Sequence, residues 1–198
     1  MMSAVELILA SASPRRKLLL EQIGLSFRVV PSHLHEPPYE GHKPAQYAEN
    51  LAELKASEIS GLLPSALVIG ADTIVVIGDE VLGKPEDAAT ARKMLGQLSA
   101  RTHLVITAYS FQMKAAGIKQ VHHVSTQVHF KKLRPDEIDY YINTDAPYDK
   151  AGAYGIQDYS SIFVDRIEGC FYNVVGLPIS DLSEKLNHLL SQHSITLK

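Results

Sequence analysis

The chain has 198 residues, 45% of them hydrophobic and 21% charged, which predicts a single globular domain over residues 1–198. The formal net charge of -3 disfavours a non-specific nucleic-acid-binding protein, since such proteins are usually basic. No apolar stretch approaches the roughly 20 residues that a membrane span needs. A single cysteine, Cys170, and a start without an early positive charge or a long apolar segment favour a cytoplasmic protein.

The first half of the chain alternates strand and helix patterns. Residues 7–10 predict a short buried strand, followed by a helix capped by Ser13, opened by Pro14 and ended by Gly24. A strand at 27–30 and a proline-rich loop at 31–44 follow, and then a helix at 45–59 that Gly61 and Pro64 end. After it the patterns predict strands at 67–77 and 80–82 around a turn, and an amphipathic helix at 86–98.

Strands dominate the second half. The patterns predict strands at 102–113 and 121–130, a helix at 135–142, a loop at 143–161, a strand at 162–167 and a helix from Pro178 to about Gln192. Helices and strands alternate early and hairpins follow later. The order therefore predicts an α/β fold with a mixed sheet.

The turn between the first strand and the first helix is a candidate phosphate site. It reads Ser11-x-Ser13-Pro14-Arg15-Arg16. A helix N-terminus offers free N–H groups and partial positive charge, and two arginines add fork-shaped donors. The alternative is a capped surface helix whose arginines are solvated.

Asp72 interrupts an otherwise apolar strand. A buried carboxylate is costly unless it is paired, hydrogen-bonded or bound to metal, so a functional role is favoured over a purely structural one. Lys55 falls on the apolar face of its helix, where it either extends to solvent or points into an anion site. Lys84, in Gly-Lys-Pro, is either a surface lysine or a phosphate contact.

Two loops carry further candidate ligands. Residues 149–157 combine glycines and alanines, which allow close backbone approach to a ligand, with Gln157, whose amide both donates and accepts as a base edge requires. The alternative is a flexible turn. His33, His35 and Glu36 are residue types that bind zinc, but their spacing favours a metal role for Glu36 alone.

These segments together resemble the Maf family of nucleotide pyrophosphatases, from Leu9 to about Leu182. The order and spacing of the matching blocks carry the resemblance. They are Leu9-Ala10-Ser11-x-Ser13-Pro14-Arg15-Arg16, Glu36, Lys55-Ala56, Gly70-Ala71-Asp72-Thr73, Gly83-Lys84-Pro85, the run from Asp149 to Gln157, and Val175-Gly176-Leu177-Pro178.

The resemblance implies hydrolysis of nucleoside triphosphates to monophosphate and pyrophosphate. It implies an α/β fold with two lobes around a cleft, related to the inosine triphosphate pyrophosphatases, and often a homodimer. A divalent cation, Mg²⁺ or Mn²⁺, would be held by Glu36 and Asp72, with Asp72 also the catalytic acid–base. The implied phosphate contacts are Ser11, Arg15, Arg16, Lys55 and Lys84.

Arg15, Thr73 and Gln157 resemble the branch of the family that prefers dTTP and UTP. CTP and modified pyrimidine triphosphates are further candidate substrates. A second branch, which prefers 7-methyl-GTP, tends to carry Trp, Gln and Glu at the matching positions. A different class of function, a non-catalytic nucleotide-binding regulator of cell division, is disfavoured because binding alone does not need Asp72.

Overall fold

A computed structural model of the chain describes residues 3–41 and 43–198. The helices and strands alternate in the first half, as the sequence predicts. The six α-helices are α1 Pro14–Gln22, α2 Pro44–Leu62, α3 Ala88–Leu98, α4 Pro135–Ile142, α5 Phe171–Val175 and α6 Ile179–Gln192. The strands are β1 Ser3–Val5, β2 Leu7–Leu9, β3 Arg28–Val29, β4 Leu67–Ile77, β5 Glu80–Leu82, β6 Thr102–Met113, β7 Ile118–Phe130, β8 Val164–Glu168 and β9 Ile195–Leu197.

One large sheet organises the molecule. It has seven strands in the order β3-β2-β4-β6-β7-β8, with β5 also paired to β4. β2 pairs in parallel with both β3 and β4. The pairs β4 with β6, β6 with β7, and β7 with β8 are antiparallel. The predicted mixed sheet with flanking helices is confirmed.

β4 has a gap along one of its edges. β6 pairs with one edge over residues 68–76. On the opposite edge, β2 pairs with residues 67–69 and β5 with residues 75–77. Residues 70–74 of β4 therefore have no strand beside them on that edge, and this segment contains Asp72.

Two hydrophobic clusters share one face of the sheet. One contains Ala71 and Tyr109 and is covered by α1 and α6, and the other contains Val75 and Val105 and is covered by α3 and α4. Three hydroxyl side chains lie between the two clusters, and we call them the threonine row: Thr73, Thr107 and Thr126. We call the parts of the molecule around the two clusters the two lobes, and the threonine row lies at their boundary.

α2 packs closely on the other face of β4. A Cβ atom on Gly70 would lie 2.4 Å from the carbonyl oxygen of Ala52 and 2.6 Å from the nitrogen of Ala56. Only glycine at this position allows so close an approach. This contact holds Lys55, on the same stretch of α2, near Asp72.

Several predicted boundaries are wrong, each for a local reason. α2 continues through Gly61 to Leu62, because one helical glycine weakens a helix without ending it. α3 starts only at Ala88, since Asp87 is the N-cap and accepts from the Thr90 N–H. The loop predicted at 143–161 contains short 3₁₀ turns at Ala146–Asp149, Ala151–Ala153 and Tyr159–Phe163.

Short elements account for the remaining differences. β3 is only two residues long, β7 begins earlier than predicted at Ile118, and β8 spans Val164–Glu168. The short helix α5 and the parallel pair of β1 and β9 were not predicted. Within the described residues, every helix is too short or too polar to cross a membrane.

Candidate active site

A cleft of ≈ 1020 Å³ lies over the gap in β4 and between the two lobes. The start of α1 and the end of α5 border it from one lobe, and the loop at 149–158 from the other. Every residue that the sequence singled out as catalytic, phosphate-binding, base-contacting or metal-binding lines it: Ser11, Arg15, Arg16, Glu36, Lys55, Asp72, Thr73, Lys84 and Gln157.

The start of α1 is capped as the sequence predicts. Ser13 is the N-cap, and its hydroxyl accepts from the Arg16 N–H at 3.4 Å. Ser11 accepts from the Ser13 N–H at 3.2 Å. Arg15 reaches across the cleft mouth to Asp149, with 3.1 Å between Nη1 and Oδ2. This exposed ion pair spans the two lobes and adds little stability, so Arg15 can exchange its carboxylate for a phosphate at small cost.

Arg16 is held by the protein itself. Its guanidinium donates to the carbonyl oxygens of Gly176 and Ala71 and to the hydroxyls of Ser11 and Thr73. A guanidinium has five N–H groups, so one N–H, on Nη2, remains for a ligand. The Ala71 carbonyl lies on the edge of β4 that faces the gap. Arg16 therefore provides a hydrogen-bond donor where a neighbouring strand would otherwise provide one.

Asp72, Lys55 and Glu36 form a charged group at the centre of the cleft. The Lys55 ammonium lies 2.5 Å from Asp72 Oδ1 and 2.7 Å from Glu36 Oε1. The Asp72 side chain is 11% exposed, whereas that of Glu36 is 47% exposed. Of the two readings of Lys55 that the sequence left open, the structure selects the one in which it points into a site.

The two carboxylates differ in their acidity. Burial raises the pKa of Asp72, against the opposing attraction of Lys55 and Arg16. Burial also acts on Glu36, but its hydrogen bond to Lys55 and the charges of Lys55, Lys84 and Arg16 outweigh that effect and lower its pKa. Burial therefore dominates at Asp72, whereas the neighbouring cations dominate at Glu36.

The donor set around Lys55 fits a magnesium or manganese ion. Mg²⁺ is usually bound by one or two carboxylates together with substrate phosphates, and Asp72 and Glu36 already place oxygens around one cation, the Lys55 ammonium. Across residues 3–41 and 43–198, no group of three or more His, Cys, Asp and Glu side chains is arranged to hold a metal. The alternative zinc site with His33 and His35 is therefore not formed.

Lys84 and Gln157 also line the cleft. Gln157 is exposed on the loop at 149–158, and Lys84 lies just before α3. In the described part of the chain, neither side chain has a hydrogen-bond or ion-pair partner. Both are free to turn toward a ligand.

The sequence did not single out three residues that shape this cleft. Lys150 lines it and contacts Asp149 at 2.6 Å and Asp158 at 3.2 Å. Thr107 and Asn173, both 0% exposed, lie beneath Thr73. A polar residue within an apolar strand was the signal for Asp72, and the same signal was available for Thr107.

The chain is thus an α/β protein with a buried carboxylate and several cations around an interlobe cleft. The sequence signature of Maf-like proteins matches residues 6–189, and the chain belongs to this family.

Two relatives with high identity agree with this assignment. The chain is 44% identical over 184 residues to the dTTP/UTP pyrophosphatase of Syntrophus aciditrophicus, covering 93% of this chain and 90% of that protein. It is 47% identical over 181 residues to the protein of the same name from Moorella thermoacetica, covering 91% and 93%. Among solved structures it is similar to a dITP/XTP pyrophosphatase from Mycobacterium abscessus, with 17% identity, a TM-score of 0.49 and coverage of 95% and 98%.

Proposed function

We propose that this protein hydrolyses dTTP and UTP between the α- and β-phosphates and releases the nucleoside monophosphate and pyrophosphate. The observation that carries the proposal is the buried Asp72 beside Lys55 and Glu36, in a cleft that also holds Arg15, Arg16 and Lys84. The names of relatives that are 44% and 47% identical over nearly the whole chain support the choice of substrate.

Asp72 acts as the base for the attacking water. Its raised pKa brings it closer to neutral than an ordinary aspartate, which favours proton transfer from water. The water oxygen forms a bond to the attacked phosphorus, the bridging oxygen leaves with the other phosphorus, and the proton passes to Asp72. Lys55 keeps the carboxylate oriented through its 2.5 Å contact.

The cations around the cleft stabilise the departing pyrophosphate. Arg15 and Lys84 come from opposite lobes, and the α1 N-terminus adds backbone N–H groups. Such preorganised donors act most strongly where negative charge develops in the transition state. A divalent cation held by Glu36 and Asp72 would supply further neutralisation of phosphate charge and would lower the pKa of bound water.

Three residues of the cleft lining can contact the nucleobase. Gln157 offers an amide that donates and accepts, and Thr73 offers a hydroxyl next to Asp72. Arg15 contacts Asp149, on the loop that carries Gln157. We assign these three residues to base selection.

A substrate panel tests the proposal. Pyrophosphate and monophosphate would be measured after incubation with dTTP, UTP, CTP, GTP and 7-methyl-GTP, each with Mg²⁺, Mn²⁺ or EDTA. We expect metal-dependent cleavage of dTTP and UTP to the monophosphate. A preference for 7-methyl-GTP would place the protein in the other branch, and nucleotide binding without cleavage would indicate a regulator instead of an enzyme.

A further inference from the structure

The threonine row is part of a hydrogen-bond network that reaches the cleft floor. Thr107 and Asn173 are 0% exposed and Thr126 is 1% exposed. The Asn173 backbone carbonyl accepts from the Thr107 hydroxyl at 2.9 Å, and Thr107 Oγ1 lies 2.9 Å from Thr73 Oγ1. Thr73 is the member of the network that lines the cleft.

The orientation of the Asn173 amide is fixed by its neighbours. Its Oδ1 accepts from the backbone N–H of Thr107 at 3.2 Å. Its Nδ2 donates to the Val105 carbonyl at 2.9 Å and to Thr126 Oγ1 at 3.0 Å. A carbonyl can only accept and a backbone N–H can only donate, so the amide cannot be reversed without losing both contacts. Asn173 thus anchors β6 and β7 to α5.

This anchor determines the direction of the next two hydrogen bonds. Because Thr107 gives its only hydroxyl proton to the Asn173 carbonyl, it can only accept from Thr73. Thr73 therefore donates its own proton to Thr107, since the other acceptor near it, the Gly176 carbonyl, lies farther away at 3.5 Å. Arg16 Nη2 donates to Thr73 Oγ1 at 3.1 Å and uses one lone pair of that oxygen. The second lone pair remains for a ligand, because the Gly176 carbonyl can only accept and does not use it.

We infer that Thr107 and Asn173 are positioning residues for substrate choice, because they leave Thr73 able to accept a hydrogen bond from the base but not to donate one. The inference rests on the proposed function. Uracil and thymine carry an N3–H, which is a donor. Cytosine has a lone pair at N3, which would face the Thr73 acceptor unpaired. Buried polar sites reject analogues that leave such a group unpaired. The site is thereby selective for UTP and dTTP over CTP.

Gln157 cannot provide this selectivity by itself. It is exposed, and its amide has no bond that fixes it within the described residues. By rotating, the amide can present either its oxygen or its NH₂ group to a base. Of Gln157 and Thr73, it is Thr73 whose hydrogen-bond polarity is fixed by its neighbours.

The test compares kcat/KM for UTP with kcat/KM for CTP in the wild type and in Thr107→Val. Valine has the shape of threonine but cannot accept from Thr73. The Thr73 hydroxyl then keeps the 3.5 Å contact with the Gly176 carbonyl and can donate to cytosine N3 instead. We expect the UTP preference to fall about tenfold, the order of one hydrogen bond. Thr107→Ser keeps the hydroxyl and should keep the wild-type ratio within about twofold.

Ser110→Ala is the matched control. It removes another buried hydroxyl of β6, one that donates to the Gln120 carbonyl at 2.9 Å and accepts from Gln112, outside the threonine row. It should lower stability and leave the UTP to CTP ratio unchanged. If Thr107→Val does not fold, Thr73→Val gives the same readout, because it removes the acceptor itself and should lower the ratio through loss of UTP turnover.

The possible results separate the inference from the proposed function. A wild type that cleaves no pyrimidine triphosphate would overturn both. An active wild type that cleaves CTP as well as UTP would overturn the inference alone. A folded Thr107→Val protein with the wild-type ratio would also overturn it, and so would a Thr73→Val protein with that ratio. A Ser110→Ala protein whose ratio shifts as much as that of Thr107→Val would overturn it too.

Discussion

Asp72 and Glu36 share one ammonium, that of Lys55, across distances of 2.5 and 2.7 Å. A buried carboxylate without a partner would ionise only at high cost. The ammonium reduces that cost and also holds the two acids apart from each other. Asp72 can therefore remain buried in the cleft at a lower cost than an unpaired carboxylate, although burial still raises its pKa.

A second buried titratable group, His103, predicts how stability depends on pH. Its Nε2 lies 2.7 Å from the Tyr154 hydroxyl, its Nδ1 has no partner, and burial lowers the pKa of His103 to about 4. The unfolded value is near 6.5. Since the unfolded chain binds more protons between these values, the stabilising contribution is complete above about pH 6.5 and is lost as the pH falls toward 4.

Between pH 7 and pH 5 we expect this histidine to reduce the free energy of unfolding by about 2 kcal/mol. Urea unfolding at the two pH values measures it. His103→Gln should remove that part of the difference, and His188→Gln, at an exposed position, should leave the difference as in the wild type. Equal pH dependence in His103→Gln and the wild type would contradict the assignment.

For individual residues, the sequence predicted which side chains belong to the site better than it predicted which side chains they contact. Asp72 was predictable from its own apolar neighbours, and the Ser13 cap from the Pro14 that follows it. The contact of Lys55 with Asp72 was not, because it depends on how α2 packs on β4. The four contacts of Arg16 were also not predictable, since they join residues that are distant in the chain.

Among the elements, the packing of α2 on β4 decides the geometry of the site. Gly70→Ala would place a methyl group against the Ala52 carbonyl and the Ala56 nitrogen. Relief requires α2 to move away from β4, and Lys55 would move with it. We expect a loss of about 1–3 kcal/mol in unfolding free energy, with a lower turnover, both measured on the purified variant.

Gly61→Ala is the matched control for this substitution. Gly61 lies in the same helix, with nothing within 4 Å of an added Cβ. Alanine should stabilise the helix by about 0.5–1 kcal/mol and leave turnover unchanged. If Gly70→Ala were as stable and as active as Gly61→Ala, close packing of α2 would not control the site.

Elements with clear boundary residues were predicted best. β4, β5, β6 and α4 have the predicted bounds, because sustained periodicity and clear turn residues define them. α5 was missed, since a helix of five residues has too few turns to show a period. The gap in β4 could not be predicted, because it depends on where β2 and β5 stop pairing.

For the whole molecule, the two lobes share the same long strands. β4 and β6 each contribute to both hydrophobic clusters, through Ala71 and Tyr109 on one side and Val75 and Val105 on the other. The chain termini are also tied together, because β1 pairs with β9 from Ser3↔Ile195 to Val5↔Leu197. Strands of three residues leave too weak a pattern for the sequence to predict this pairing.

We therefore predict that the lobes unfold together as one domain. Calorimetry should show a single transition whose van't Hoff and calorimetric enthalpies agree. Leu186→Ala in one cluster and Leu95→Ala in the other should each destabilise that same transition by about 2–5 kcal/mol. Two separate transitions, each sensitive to only one of these substitutions, would show that the lobes are independent domains.

The central claim is that Asp72 serves hydrolysis of a pyrimidine triphosphate in the interlobe cleft. The most direct measurement is pyrophosphate release from UTP, with Mg²⁺, by the wild type and by Asp72→Asn, an isosteric change that removes the base. With the variant's fold verified by its melting temperature, we predict a loss of roughly 100- to 10,000-fold in kcat. A folded Asp72→Asn protein that releases pyrophosphate at the wild-type rate would contradict the claim.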